Sequence, residues 1–238
     1  KTTAAATVII FRHAPAGGAP QILMVERNAS LKFAGGATVF PGGKIDPSDF
    51  ALAESLARGG GDDLDDLAAR VAAVRETLEE TGLVVGISGE VDGRLAAEAR
   101  RMLISGGDLA PVLGEFGWQL EADRLVPFAR WWPKHRTERI FDTRFYLANL
   151  GTGAVDIEVD ATENRHLFWA SAQEALDLAE AGKIKVIFPT RRNLERLALF
   201  GNYDEARNHA ETTPIGTISP FVEEREGRRW LMIPDGLG

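Results

Sequence analysis

The sequence predicts a single α/β domain that carries helical insertions. Short β-rich runs and amphipathic helical patterns are interleaved along the whole chain, as they are in α/β domains. The chain has 238 residues, a length near the upper limit for one domain and sufficient to bury a large core. It shows no internal repeat and no long linker. Residues 1–238 are therefore predicted to form one domain.

Composition and charge exclude several classes of protein. The chain is 45% hydrophobic and 26% charged, so extensive disorder is not expected. It has no cysteine, which rules out disulfides and thiolate zinc sites and fits a cytoplasmic location. No apolar run reaches the roughly 20 residues that span a bilayer. The net charge of −8 argues against non-specific nucleic-acid binding and favours a metal site, because bound cations let an acidic protein act on phosphates.

Local patterns predict strands and helices in alternation. The β-rich runs predict strands at residues 7–11, 21–26, 83–87, 124–132 and 139–148. The helical periodicity predicts helices at residues 50–58, 64–81, 94–105, 108–117, 171–181 and 190–201. The Gly-rich stretch at residues 35–43 is predicted to be a strand that ends in a tight turn. A C-terminal extension at about residues 212–238 is predicted to contain a hairpin with its turn at residues 226–227.

The helix predicted at residues 64–81 carries the clearest chemical signal. Its apolar positions form one core-facing stripe, consisting of Leu67, Val71, Val74 and Leu78. Glu76, Glu79 and Glu80 are related by i, i+3 and i+4, so their carboxylates share the side away from that stripe. A solvated acidic face is the ordinary interpretation of such a pattern. The other interpretation is a binding site for a hard cation, because Mg²⁺ and Mn²⁺ both accept carboxylate ligands.

The strings around these carboxylates resemble the two halves of the Nudix box. Residues 75–83 read Arg-Glu-Thr-Leu-Glu-Glu-Thr-Gly-Leu and match its second half, except that Thr77 occupies an aliphatic position. Residues 40–46, Phe-Pro-Gly-Gly-Lys-Ile-Asp, resemble the strand and turn that open the box. The resemblance implies a Nudix fold, an α/β/α sandwich around a mixed β-sheet. It also implies a Nudix diphosphatase activity, in which a diphosphate linkage is hydrolysed.

The box is interrupted in this chain. Counted from Gly43, its first acidic position falls on Asp49, and Arg75 then lies about 18 residues farther along than in an uninterrupted box. The extra segment is about residues 50–66, and lengthening a surface loop in this way costs little stability. The sequence leaves open whether Asp49 keeps the part of the first glutamate of the box.

Interrupted boxes occur in the Nudix branch that includes the peroxisomal coenzyme A diphosphatase and its bacterial relatives. Stretches at residues 131–146, 163–176 and 188–197 also resemble that branch. A coenzyme A motif upstream of the box is matched in spacing by Arg27 and Lys32, although Lys32 stands where the motif has arginine. The resemblance therefore implies hydrolysis of coenzyme A or an acyl derivative to a phosphopantetheine and 3′,5′-ADP.

The resemblance also implies roles for individual residues. Glu76, Glu79 and Glu80 would bind one or more Mg²⁺ or Mn²⁺ ions, with a backbone carbonyl of the turn at Gly43 as a further ligand. Arg75 would orient a ligating glutamate.

The general base and the substrate contacts are less closely defined. The family pattern indicates Glu163 as the general base, and Glu80 acting on a metal-bound water is the alternative. Substrate phosphates are expected at cationic side chains, namely Arg27, Lys32, Arg139 and Arg144. For each of these cations an ordinary structural role stays open.

Two alternatives to coenzyme A hydrolysis stay open. Within the same enzyme class, ADP-ribose or a dinucleotide such as NADH is the second substrate candidate. From another class, the chain could be a non-catalytic Nudix module that binds a nucleotide and regulates a partner. The expected partner in every case is a small nucleotide diphosphate, with neither nucleic acid nor membrane involved. A homodimer stays open because many members of the family dimerise.

Overall fold

The computed structural model describes residues 2–30, 34–57, 63–134, 140–151 and 164–236. Its strands are β1 (Thr2–Arg12), β2 (Gln21–Arg27), β3 (Thr38–Val39), β4 (Gly42–Lys44), β5 (Ile87–Ser88), β6 (Gln119–Leu120), β7 (Val126–Trp131), β8 (Ile140–Gly151), β9 (Asn164–Ala170), β10 (Thr217–Ile218), β11 (Phe221–Arg225) and β12 (Arg228–Met232). Its helices are α1 (Pro47–Leu56), α2 (Leu64–Thr81), α3 (Gly93–Gly106), α4 (Leu109–Phe116), α5 (Ala172–Glu180), α6 (Phe188–Leu197) and α7 (Tyr203–Thr212).

One mixed sheet forms the centre of the fold. Its strands follow the order β10-β7-β8-β1-β2-β3, while β4 pairs with β1 and β9 pairs with β2. The pairs β1–β8 and β7–β10 are parallel, and β1 pairs antiparallel with both β2 and β4. Because Ala6 lies opposite Gly43 and Thr7 lies opposite Gly42, the glycine turn is held at the middle strand of the sheet.

Helices cover both faces of this sheet. Val8 and Ile10 of β1 face a core cluster that includes residues of α1, α2, α3 and α4. Ile9 and Phe11 point to the opposite face, where residues of α5, α6 and α7 complete a second cluster. The alternation follows from the two-residue period of a strand. The predicted α/β/α sandwich around a mixed sheet is confirmed.

Helix α2 has the ends that its local signals predict. The Asp63 side chain accepts the Asp66 N–H at 3.1 Å as N-cap, and Gly82 ends the helix at φ +73°, a conformation that glycine adopts without strain. Thr77, which occupies the aliphatic position of the box, is fully buried. Its hydroxyl donates to the Ala73 carbonyl at 2.7 Å, so the polar group is satisfied inside the core.

The extra segment at residues 50–66 is not a separate unit in its described part. Its first residues belong to α1, which starts at Pro47, and its last residues start α2 at Leu64. The helix predicted at residues 50–58 therefore begins three residues earlier than expected. Proline suits a first helical turn because its missing N–H has no partner there in any case.

Other elements also differ from the predictions. Of the strand predicted at residues 83–87, only Ile87 lies in a strand, the two-residue β5, because Gly86 turns the chain at φ +64°. The strand predicted from residue 124 begins at Val126, since residues 122–124 form a 3₁₀ turn. Helix α7 has no counterpart among the predicted elements, because its buried positions are the small Ala206 and Ala210, which give a weak apolar stripe.

The C-terminal extension contains the predicted hairpin. Strands β11 and β12 pair antiparallel, with Arg225 opposite Arg228, so the turn falls at residues 226–227 as expected. None of the helices in the described parts of the chain is long and apolar enough to cross a bilayer.

Candidate active site

Two of the three glutamates of α2, Glu76 and Glu80, lie against the glycine turn of β4. The Gly42 N–H donates to Glu80 Oε2 at 3.0 Å, and Glu80 is only 4% exposed. A buried carboxylate needs such a donor, because an uncompensated charge inside a protein is strongly disfavoured. Glu79 is the most open of the three, with 37% of its side chain exposed.

Gly43 allows the turn to pack directly on the Glu76 carboxylate. A Cβ atom built on Gly43 would lie 2.3 Å from both Cδ and Oε1 of Glu76, closer than any non-bonded contact permits. Gly42 has φ +150°, and a Cβ there would lie 2.3 Å from the Ala6 carbonyl oxygen. The paired glycines of the box are therefore required by the close approach of the strand to Glu76 and to β1.

Replacing Gly43 with alanine is expected to push the Glu76 carboxylate out of place. Overpacking of this kind costs about 1–3 kcal/mol of stability, and we expect Mn²⁺ affinity to fall by about 10–100-fold, as for loss of an orienting contact at a metal site. Calorimetry with Mn²⁺ and thermal unfolding measure the two effects. Gly114→Ala is the matched control, because a Cβ there meets nothing within 4 Å. Unchanged Mn²⁺ affinity in Gly43→Ala would contradict the assignment of Glu76.

Arg75 organises the carboxylates around it. Its Nε and Nη2 donate to the two oxygens of Asp49, both at 2.9 Å, and Nη2 also donates to the Lys44 carbonyl at 2.9 Å. Its Nη1 donates to Glu76 Oε1 at 3.0 Å and lies 3.5 Å from Glu79 Oε2. The planar guanidinium thus joins α1, β4 and α2 and holds Glu76 in one orientation.

Electrostatics keep Arg75 charged although it is buried. Burial on its own lowers the pKa of the guanidinium. The hydrogen bond to Asp49 and the charges of Glu76, Asp49 and Asp46 oppose this effect and raise the pKa of Arg75 above its ordinary value. The side chain is therefore a permanent cation beside the glutamates.

Asp49 holds Arg75 from across the interruption in the box. It is 1% exposed, and besides binding Arg75 it accepts the Asp46 N–H at 2.8 Å, which closes the first turn of α1. The two residues are 26 positions apart in sequence. Asp49 therefore orients Arg75, and the extra segment does not separate the two residues.

The donor groups at this site fit a hard cation. Glu76 and Glu80 both approach the glycine backbone of β4, and carboxylate oxygens are the ligands that a hard cation prefers. Among the described residues, no three His, Asp or Glu side chains already enclose a cation-sized point. Glu76 and Glu80 instead bind Arg75 and the Gly42 N–H. The roles of Glu76, Glu79, Glu80 and Gly43 as metal ligands stay predictions.

Of the four predicted substrate cations, Arg27 and Arg144 lie in the described parts of the chain. Lys32 and Arg139, together with the base candidate Glu163, fall outside the described residues. Arg27 ends β2, and its Nε is buried without a hydrogen-bond partner. Arg144 lies opposite Ala6, which lies opposite Gly43. It is therefore about 10 Å from the glycine turn, at roughly 4.8 Å per strand, on the same face of the sheet.

Arg100 is a site residue that the sequence did not indicate. It is 6% exposed, and its Nε donates to the Glu79 carbonyl at 2.9 Å. The last carbonyls of a helix carry partial negative charge, so a cation from α3 stabilises the end of α2 that bears the glutamates. No local signal could have identified it, since the contact spans 21 positions of sequence.

The adjacent residues Trp131 and Trp132 differ in burial, since the first lies in the core and the second is half-buried. Trp131 is 3% exposed and packs edge-on against Phe188. Trp132 is half-buried, and the ammonium of Lys134 lies 4.5 Å from its ring centre.

Comparison with known proteins identifies the fold. Residues 1–104 match the family model of the NUDIX domain, and this range contains both β4 and α2. The crystal structure of a NUDIX hydrolase from Alicyclobacillus acidocaldarius has 27% sequence identity, covers 91% of this chain and 98% of its own, and has a TM-score of 0.73. The chain has a Nudix fold.

A curated relative gives the same result. The Caenorhabditis elegans protein named "Putative nudix hydrolase 7" is 28% identical over 207 residues, which cover 83% of this chain. The match spans 64% of that relative's length. Both relatives are described as Nudix hydrolases, and neither description names a substrate.

Proposed function

We propose that this chain hydrolyses the diphosphate linkage of a nucleotide in which a nucleoside diphosphate is joined to another group. The observation that carries the proposal is the packing of Glu76 and Glu80 against the Gly42-Gly43 turn, with Arg75 held in place by Asp49. A solvated acidic face would not bury Glu80 or require a glycine at position 43. The arrangement is that of a site built to hold carboxylates together.

A bound Mg²⁺ or Mn²⁺ would neutralise charge on the diphosphate and lower the pKa of the attacking water. The protein residues then have separate tasks. Arg75 keeps Glu76 oriented, and the Gly42 N–H keeps Glu80 oriented. In the reaction, one water oxygen bonds to a phosphorus atom, and the bridging oxygen leaves with the other phosphorus. Two phosphate monoesters result, and one water is consumed.

Two residues are candidates for the general base that takes the proton from this water. Glu163 is the family-based choice, and Glu80 is the alternative. Glu163→Gln is expected to lower turnover while leaving Mn²⁺ binding unchanged if Glu163 is the base. Full activity of that variant would leave Glu80, acting on a metal-bound water, as the base.

We infer further that the substrate is coenzyme A or an acyl-coenzyme A. The support is the motif spacing from Arg27 and Lys32 to residues 40–43, together with the buried Arg27 Nε, which has no hydrogen-bond partner among the described residues. Lysine at position 32 conserves charge without the two-pronged hydrogen bonding of arginine. ADP-ribose and dinucleotides such as NADH remain the alternative substrates.

A substrate panel tests the proposal. Coenzyme A, an acyl-coenzyme A, ADP-ribose and NADH are incubated with the full chain in Mg²⁺, in Mn²⁺ and in EDTA, and products are identified by mass spectrometry. The expected result is 3′,5′-ADP and a phosphopantetheine, formed only with a divalent ion. Cleavage of ADP-ribose but not coenzyme A would overturn the substrate assignment. Tight nucleotide binding with no cleavage of any compound would instead indicate a non-catalytic Nudix module.

A further inference from the structure

A cavity lies on the face of the sheet opposite the glutamates of α2. It has a volume of about 190 Å³, the space of about six water molecules in the liquid. Its walls come from β7, α6, β10 and the chain after β12, and they include Trp131, Asn193, Arg196 and Ile218. Trp131 and Ile218 belong to the core cluster under α6 and α7, so this cavity is separated from α2 by the sheet.

Arg196 lines this cavity as a buried cation, and no anionic side chain among the described residues pairs with it. It is 8% exposed, its Nη1 donates to the Phe128 carbonyl at 2.9 Å, and its guanidinium lies 4.0 Å from the Phe128 ring centre. Within the described ranges, its buried Nε has no hydrogen-bond partner, and no carboxylate there contributes to its pKa. Burial lowers the pKa of Arg196 to about 10, so the side chain remains charged at neutral pH.

Asn193 presents a second unused donor one helical turn away. It is 3% exposed, and its Oδ1 accepts the Trp131 Nε1–H at 3.4 Å. This contact assigns the amide orientation, because only the oxygen can accept from an indole N–H. The other atom, Nδ2, is therefore a donor, and it is buried with no hydrogen-bond partner in the part of the chain that the structure describes. Residues three apart on a helix are neighbours, and Asn193 and Arg196 both line this cavity.

The charges around the cavity are positive in sum. Glu195 also lines it, but its carboxylate binds Arg191 Nε at 3.0 Å and Arg192 Nη1. Arg191 binds Glu180 as well. Among these described side chains, three arginines carry one positive charge more than the two glutamates can balance. The ion pairs involve Arg191 and Arg192, so the unbalanced charge is that of Arg196.

We propose that this cavity binds a small oxyanion, a phosphate or a carboxylate, through the Arg196 and Asn193 side chains. An oxyanion accepts hydrogen bonds and donates none, which matches two buried groups that present only N–H. It also supplies the counter-charge that a buried guanidinium otherwise lacks. Because the cavity and the glutamates lie on opposite faces of the sheet, this site is distinct from the proposed diphosphatase site and does not depend on its assignment.

Thermal unfolding of the full chain in EDTA tests the proposal without the metal site contributing. Inorganic phosphate and acetate are titrated separately, with sodium chloride keeping ionic strength constant. We expect a saturable rise in the unfolding midpoint with at least one of the two anions. A rise with phosphate alone assigns a tetrahedral oxyanion, and a rise with acetate alone assigns a carboxylate. No saturable rise with either would overturn the proposal.

Variants and one spectroscopic readout locate the binding. Arg196→Met is expected to abolish the rise and Asn193→Ala to weaken binding at least tenfold, while the rim control Arg192→Met retains it. In the wild-type protein, burial and the charge of Arg196 lower the pKa of His209. Oxyanion binding should neutralise that charge and raise the His209 pKa, measured by NMR titration. A rise in midpoint without any change at His209, or one that persists in Arg196→Met, would refute this location.

Discussion

Substitution of Glu80 by glutamine is expected to reduce turnover of the nucleotide substrate by about 10³-fold, because a catalytic metal contributes several kcal/mol of charge stabilisation. Glutamine has the same shape, and its side-chain oxygen can still accept the Gly42 N–H bond, which is 3.0 Å long in the wild-type protein. The fold should therefore be preserved. Turnover in excess Mg²⁺ and Mn²⁺ affinity by calorimetry are the measurements, and both should fall together. Glu79→Gln is expected to act in the same direction.

The control for this experiment is a glutamate of similar chemistry outside the site. Glu98 of α3 is 51% exposed and pairs with Arg94 across one helical turn, so Glu98→Gln should leave turnover within about twofold, as expected for an exposed pair worth under about 1 kcal/mol. Undiminished activity in both Glu79→Gln and Glu80→Gln would refute the metal site on α2. Lost activity with a lowered unfolding midpoint would assign Glu80 a structural role instead.

Substitution of Asp49 by asparagine is expected to cost about 3–5 kcal/mol of stability, the usual effect of breaking a buried ion pair from one side. In the wild-type protein, two N–H groups of Arg75 donate to the two carboxylate oxygens of Asp49, both at 2.9 Å. Asparagine would replace one of these acceptor oxygens with an NH₂ group, which is itself a donor. For a chain of this size, the unfolding midpoint should fall by on the order of 10 °C. Denaturant unfolding measures the free energy directly.

The same variant separates stability from positioning. Arg75 without Asp49 loses its fixed orientation, so Mn²⁺ affinity is expected to fall by about 10–100-fold even below the unfolding transition. Glu98→Gln again serves as control, with a cost under about 1 kcal/mol. Wild-type stability in Asp49→Asn would mean that Asp46 and Glu76 can hold Arg75 by themselves.

Local signals were sufficient for the helix that carries the site. The boundaries of α2 follow from an Asp63 cap and from Gly82, and its glutamates share one side because of the 3.6-residue period. Both are properties of a few neighbouring residues. Tertiary packing determined how exposed these carboxylates are. Their position opposite the apolar stripe of α2 predicts exposure, yet Glu80 is 4% exposed because β4 lies over it.

The interruption of the box marks the limit of what local patterns can establish. The residue spacing puts Asp49 at the first acidic position of the box, but spacing alone does not determine which side chain Asp49 contacts. Whether it meets Arg75 depends on how α1 packs beside α2 and on the path of the chain between them. Arg100 and the Arg196–Asn193 cavity are similar cases, since each depends on contacts between elements far apart in sequence.

By itself, then, the sequence determined the α/β class, the helix with its three glutamates on one side, and the glycines of the turn that opens the box. These depend on periodicity, caps and backbone freedom, which act over a few residues. Only the tertiary structure decided that Asp49 orients Arg75, that Glu76 rests on Gly43, and that Trp131 belongs to the core. The physical reason is that burial and ion pairing depend on which distant segments the sheet brings together. The identities of neighbouring residues do not determine those long-range contacts.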